Sequence, residues 1–263
     1  MSRRLTSRTR VKFLTHLLRL PTHSALAGAS FGVAFAIASL LLAPQTLAKR
    51  VRAPGGARAA VVVDERLAAL RDAPGLSANL VQRLGRGRAV SLRGPKVARD
   101  GVTFYRVGVT SRTSGWVQGE ALASSARAGD DERLLRLISG SEGYDRLERA
   151  VIFIETFPRS PLRPAALLLL GETADDAART LSREAARRLD EREMAAGGAP
   201  PHSYFLNFSG LDRYRRQGII FTFDAAKKQF QYDGAAWREL VRRHPRSPEA
   251  ERARARLGER GMK

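Results

Sequence analysis

The sequence contains no cysteine. This absence excludes disulfide bonds, cysteine nucleophiles, thiolate metal sites and the acylated cysteine of a lipoprotein. It leaves the redox compartment open, because a chain without thiols is compatible with any. Histidine is also scarce, at four residues in 263, so few imidazole-based sites can be built.

Acidic residues are also few compared with basic ones. The chain has 26 Asp and Glu against 46 Lys and Arg, a formal charge of +20. The excess is uneven: about +6 falls in residues 1–48, about +10 in 49–129, about −3 in 130–200 and about +7 in 201–263. Such a field attracts polyanions. Nucleic acid, teichoic acid, anionic lipid head groups and the carboxylates of a cell-wall polymer are the candidates.

The N-terminal segment indicates export. Residues 3–19 hold six basic side chains and no acid, and residues 24–43 carry no charge. This is the order of a signal peptide's basic and apolar regions. Thr46, Leu47 and Ala48 then predict cleavage after Ala48. An uncleaved anchor is the alternative, because about 20 apolar residues also span a bilayer. Both interpretations place the rest of the chain outside the cytoplasm, which disfavours nucleic acid as the ligand.

Residues 49–58 form a linker rich in Pro, Gly and Arg, and from residue 59 the pattern changes to short apolar runs separated by turn residues. Runs of this length and spacing predict a small barrel or sandwich. The predicted strands are centred on Val61–Val63, Ala89–Leu92, Phe104–Val109 and Trp116–Val117.

Residues 59–124 resemble the bacterial SH3 domain family (SH3b, type 3). The resemblance is carried by four segments and a leucine, in order: Leu70-Arg71-x-x-Pro74, Leu84-x-x-Gly87-x-x-Val90, Phe104-Tyr105-Arg106-Val107, Gly115-Trp116-Val117 and Leu122. Phe104 departs from the family's usual tryptophan. The resemblance implies a small all-β barrel on an exported protein that binds cell-wall peptides through an aromatic groove.

By this resemblance, Tyr105 and Trp116 are the candidate ligand contacts, and Phe104 keeps the core but changes a candidate ligand-facing ring. Arg106 and Arg112 are candidates for pairing with ligand carboxylates. The alternative for Trp116 is that its ring fills the core of the small barrel. The alternative for Tyr105 is that its ring packs in the core and only its hydroxyl lies at the surface.

Helical periodicity begins at Asp130 and continues to the C-terminus. The first three predicted helices begin at Asp130, cover about 144–156 and run from Ala165 to Glu172. Residues 172–195 predict a long helix that is either solvated or a coiled partner. The last two helices cover about 234–243 and a segment that closes on Leu257–Glu259. Residues 219–232 predict a β-hairpin inserted among them.

One motif occurs twice in the helical part. Phe157-Pro-Arg-Ser-Pro161 is followed by Leu170-Gly-Glu172, and His244-Pro-Arg-Ser-Pro248 is followed by Leu257-Gly-Glu259 at the same spacing. The proline ends one helix and the serine can cap the next. This arrangement resembles tetratricopeptide repeats of envelope assembly proteins, which implies a helical region that binds a protein partner.

No catalytic motif supports an enzyme. His202 and His244 are the two histidines outside the N-terminal segment, too few for a zinc amidase. Two carboxylates for a glycosidase are available in any sequence, so a hydrolase of unrecognised type stays open.

The sequence therefore predicts a multidomain, non-catalytic envelope adaptor without a cofactor: an SH3-like barrel over 59–124 that binds peptidoglycan or another anionic wall polymer, and a helical region over 130–263 that binds an envelope protein. Contact with the membrane is expected only through an uncleaved N-terminal segment. The alternative is a structural envelope protein whose barrel has no ligand.

Overall fold

The computed structural model describes residues 58–97 and 101–261. The predicted signal segment, its cleavage site after Ala48 and the linker up to residue 57 lie outside these residues. None of the described helices is long and apolar enough to cross a membrane.

The first part of the structure is an antiparallel sheet of seven short strands. They are β1 (Ala59–Val62), β2 (Ala69–Arg71), β3 (Leu80–Arg83), β4 (Ala89–Val97), β5 (Thr103–Gly108), β6 (Ser114–Gln118) and β7 (Leu122–Ala123). Their order across the sheet is β3-β2-β6-β5-β4-β1-β7. The four predicted strands correspond to β1, β4, β5 and β6. Because no pairing joins β3 to β7 among the described strands, the sheet is open where a closed barrel was expected.

The sheet encloses a small apolar core. Val62, Leu70, Val107, Val117 and Leu122 have no exposed surface and form its centre. The alternation along β5 and β6 puts every second side chain into this core. The residues between them point to the opposite face of the sheet.

The second part of the structure is helical, with one inserted hairpin. Its elements are α1 (Asp130–Ser139), α2 (Gly143–Thr156), α3 (Arg163–Arg188), α4 (Glu191–Gly197), α5 (Pro201–Leu206), α6 (Asp212–Arg216), β8 (Phe221–Asp224), β9 (Gln229–Tyr232), α7 (Ala235–Arg243) and α8 (Pro248–Glu259). The predicted hairpin is confirmed as β8 and β9, which pair from Phe221 with Tyr232 to Asp224 with Gln229.

Two helix predictions were wrong, both on α3. The chain forms one helix from Arg163 to Arg188, so Gly171 lies inside the helix and does not end it. Residues 172–195 were predicted as one helix, either solvated or packed as a coiled partner, but α3 ends at Arg188. Its Ala174, Ala178, Leu181 and Ala185 are buried, which agrees with the packed alternative. These residues recur at helical spacing, and they face the core that α3 shares with the hairpin and with α7 and α8.

The repeated motif forms two helical hairpins, α2–α3 and α7–α8. Ser247 caps α8 as predicted, because its side-chain oxygen accepts a hydrogen bond from the Ala250 N–H. The second hairpin packs on the first through Trp237, which is fully buried and lies directly against the backbone of Gly171. The copies are offset by 87 residues along the chain, yet they are in contact in space.

The sheet and the helices share one core. Val61, Val63 and Ala123 belong to the same apolar cluster as Leu134 and Phe153 of the helices. The buried Arg149 of α2 donates to the Val63 carbonyl at 3.2 Å and to Ser141 Oγ at 2.6 Å. The two parts are thus packed together as one unit.

Candidate functional site

Phe104 and Tyr105 both pack against other parts of the protein. Phe104 has no exposed surface, so it cannot face a ligand in this structure. Tyr105 is half-buried against the core of the sheet, and the Arg127 guanidinium lies 4.9 Å from the centre of its ring. A Cβ placed on Gly119 would come within 3.1 Å of the same ring. Tyr105 therefore has the environment of a packing residue.

The cation over Tyr105 is fixed by a buried carboxylate. Arg127 donates to both oxygens of Asp130 at 2.8 Å and to the carbonyls of Gly119 and Leu122 at 3.1 and 2.8 Å. This network ties the end of the sheet to the start of α1. A ligand that displaced Arg127 from Tyr105 would have to break it.

Trp116 lies on the outer face of the sheet. Its neighbour Val117 occupies the core, so alternation directs the half-buried Trp116 ring to the opposite side. The strand register places Arg106 beside Trp116 on β5, Arg71 beside it on β2, and Leu80 beside Arg71 on β3. Side chains paired in this way share a face. We call Leu80, Arg71, Trp116 and Arg106 the arginine–tryptophan row.

The arginines on and around this row have no acidic partner among the described residues. Arg71 donates to the Ala78 carbonyl at 2.6 Å, and no ion pair within the described residues involves Arg71, Arg93, Arg106 or Arg112. The Arg93 guanidinium extends over Gly108, on the same face as Arg106. Arg112 lies in the β5–β6 turn, a few residues from Trp116.

The arginines at the junction between the sheet and the helices show a different pattern. Arg86, whose side chain is 5% exposed, pairs with Asp145 at 2.9 Å and with Glu148 at 3.1 Å. These contacts and the Arg127–Asp130 pair face the helices, where positive charge is neutralised inside the protein. Arg93, Arg106 and Arg112 have no acidic partner in the part of the chain that the structure describes, and all three are exposed, so their field is available to an external anion.

The ion pairs at the junction predict a pH dependence of stability. The hydrogen bond from Arg86 holds the pKa of Asp145 below its ordinary value. A lowered pKa in the folded protein stabilises it above the unfolded-state pKa, and this contribution is lost as the pH falls through the folded-state pKa. Glu148 has the opposite sign, because burial raises its pKa.

We therefore expect Asp145→Asn to lower the free energy of unfolding at pH 7, and the difference from wild type to shrink as the pH falls towards 3. Urea unfolding over this pH range measures it. The control is Glu142→Gln, at an exposed position beside α2. A difference for Asp145→Asn that stays constant with pH would contradict the assignment.

Sequence reasoning missed two members of the arginine–tryptophan row. Arg71 was noticed as part of a family pattern and Leu80 not at all, because neither is close to Trp116 along the chain. Leu80 is 51% exposed, an unusual environment for a large apolar residue in a strand. The available signal was the charge count of residues 49–129, which requires many arginines on a small surface.

The histidines and the acidic residues were the candidates for metal chemistry. No group of three or more His, Asp or Glu in them could hold a metal ion. His202 is exposed at the start of α5, and His244 follows α7 in the predicted helix-ending motif. Comparison of the chain with protein-family models, with curated proteins and with solved structures found no match.

Proposed function

We propose that this protein is a non-catalytic adaptor of the bacterial envelope, and that the arginine–tryptophan row binds an anionic wall polymer such as peptidoglycan. The observation that carries the proposal is a half-exposed Trp116 between two arginines that have no acidic partner among the described residues. Arginine binds carboxylates in a bidentate manner, and an exposed indole adds apolar contact. The basic and then apolar N-terminal sequence supports export.

We also propose that residues 59–124 form an SH3-like module and that the helical region is of the tetratricopeptide type. Seven short antiparallel strands with Gly115-Trp116-Val117 on β6 support the first assignment. Two stacked helical hairpins, each with Pro-Arg-Ser-Pro at its turn, support the second and suit a protein partner.

Binding of the purified full-length chain to peptidoglycan sacculi tests the function. The chain is kept in mild detergent, and its sedimentation with sacculi is measured at low and high salt. We expect Trp116→Ala to weaken binding at least about tenfold, as for an aromatic residue at the centre of an interface. Arg106→Gln should weaken binding less than Trp116→Ala does. Its effect should be larger at low salt than at high salt, because salt screens the contribution of an exposed charge.

Two variants control for folding and for charge alone. Arg187→Gln removes the same charge from an exposed position on α3, and Tyr105→Phe keeps the packed ring; both should bind as wild type. Thermal unfolding checks that each variant folds. Equal losses in Arg106→Gln and Arg187→Gln, with all binding abolished by salt, would reject the row as a site.

A structural role without a ligand is the second candidate, and the packing of Tyr105 beneath Arg127 favours it. Under this alternative, neither wild type nor Trp116→Ala would sediment with the sacculi. Release of soluble wall fragments during the same experiment would instead indicate a hydrolase.

A further inference from the structure

The inserted segment between the two helical hairpins contains a pocket of about 630 Å³. It lies between α4, α5 and the turn that joins β8 to β9. Its wall is mainly apolar, with Met194, Pro200, Phe205 and Phe223 among the residues that form it. Sites for small organic ligands commonly have volumes of about 300–1,000 Å³ and apolar walls with a few polar groups.

The apolar wall suits a flat ligand. The rings of Phe205 and Phe223 are nearly parallel, with 17° between their planes and 4.3 Å between their centres. Phe205 is buried, whereas Phe223 is only partly buried and lines the pocket. A planar aromatic group can therefore pack beside Phe223 as one more ring of the stack.

The polar groups at the pocket are Lys228, Glu191 and His202. Lys228 Nζ lies 2.5 Å from Glu191 Oε1, and the two side chains are 62% and 74% exposed. An ion pair exposed to this extent contributes little to stability. A carboxylate on the ligand can thus replace Glu191 as the partner of Lys228 at small energetic cost.

The turn that joins β8 to β9 fixes the backbone of Lys228. Its φ of 51° is the one positive value at a non-glycine residue within the described ranges. Glycine or asparagine adopts this left-handed conformation more easily than lysine. Hairpin loops commonly contain one residue in this conformation, and here it fixes the position from which the Lys228 side chain lines the pocket.

We propose that this pocket binds a small planar aromatic monocarboxylate, whose ring packs against Phe223 and whose carboxylate pairs with Lys228. The proposal is independent of the arginine–tryptophan row, which lies on the sheet. It assigns a ligand to the segment between the two helical hairpins.

Methyl NMR of the full-length chain tests the proposal directly. The chain contains three methionines, and Met194 is buried in the pocket wall, so methionine ¹³C-methyl labelling gives a simple spectrum with one reporter there. The Met194→Leu variant assigns its signal. We expect 2-naphthoate to shift this signal saturably, and 2-naphthamide, which has the same rings without the charge, to bind at least about fivefold more weakly.

Variants at the rim should change affinity in opposite directions. Lys228→Gln should weaken 2-naphthoate binding to the level of the amide, and Glu191→Gln should strengthen it by removing the competing carboxylate. Ala195→Phe, which fills the pocket from α4, should abolish the shift, whereas Ala186→Phe at an exposed position on α3 should not. Absence of a shift at Met194, equal affinity for acid and amide, or unchanged binding by Lys228→Gln would each overturn the proposal.

Discussion

Gly171→Ala should destabilise the protein by about 3 kcal/mol, the upper end of the usual cost of overpacking a core. Gly258→Ala should leave the stability unchanged or raise it by up to about 1 kcal/mol. A Cβ on Gly171 would lie 2.1 Å from Trp237 Nε1 and 2.5 Å from Cδ1 of a fully buried indole. At Gly258 no atom lies within 4 Å of the added carbon, and alanine favours the helix. Chemical unfolding followed by circular dichroism measures both changes.

The two glycines are equivalent in sequence, since each is the centre of Leu-Gly-Glu. The pair therefore controls for the effect of alanine on a helix. Trp237→Phe removes part of the indole ring, so it should reduce the additional loss caused by Gly171→Ala when the two changes are combined. Equal effects of Gly171→Ala and Gly258→Ala would contradict the packing of α7 against α3.

Asp130→Ala should destabilise the protein by about 3 kcal/mol. The carboxylate is 7% exposed and accepts hydrogen bonds from the Ser124 N–H at 2.8 Å and from Arg127 at 2.8 Å. Its removal leaves a buried N–H and a partly buried guanidinium without their acceptor. The same unfolding measurement reports the loss.

Glu132→Ala is the matched control, because it removes an acid from the same first turn of α1 at an exposed position. Only the favourable interaction with the helix dipole is lost there, at most about 1 kcal/mol. A loss at Glu132 as large as that at Asp130 would show that the acids act through the dipole alone.

The element types were largely predictable, because they depend on local patterns. The apolar periodicity of α1 and α2 and the short runs of β4, β5 and β6 determine secondary structure over a few residues. The boundaries on α3 were not predictable in this way. A glycine normally weakens a helix, and only the position of Trp237, 66 residues further along the chain, explains its presence at residue 171.

The candidate site was predicted only in part, for a similar reason. The segment Phe104-Tyr105-Arg106 and Trp116 marked the correct strands, but the sequence could not tell which ring would be covered. Arg127 lies over Tyr105 because Asp130 holds it there, and Arg71 lies beside Trp116 because β2 pairs with β6. These contacts join distant residues through the strand register.

The sequence by itself determined the charge, the absence of thiol chemistry and the order of strands followed by helices, since composition and short-range periodicity are sufficient for each. The tertiary structure alone decided which of the acids at 130–132 became buried and hydrogen-bonded, and that the segment before Tyr232 would form a pocket. It also decided which arginines have no acidic partner among the described residues. Burial and pairing depend on what packs against a residue, and the partners lie far apart along the chain.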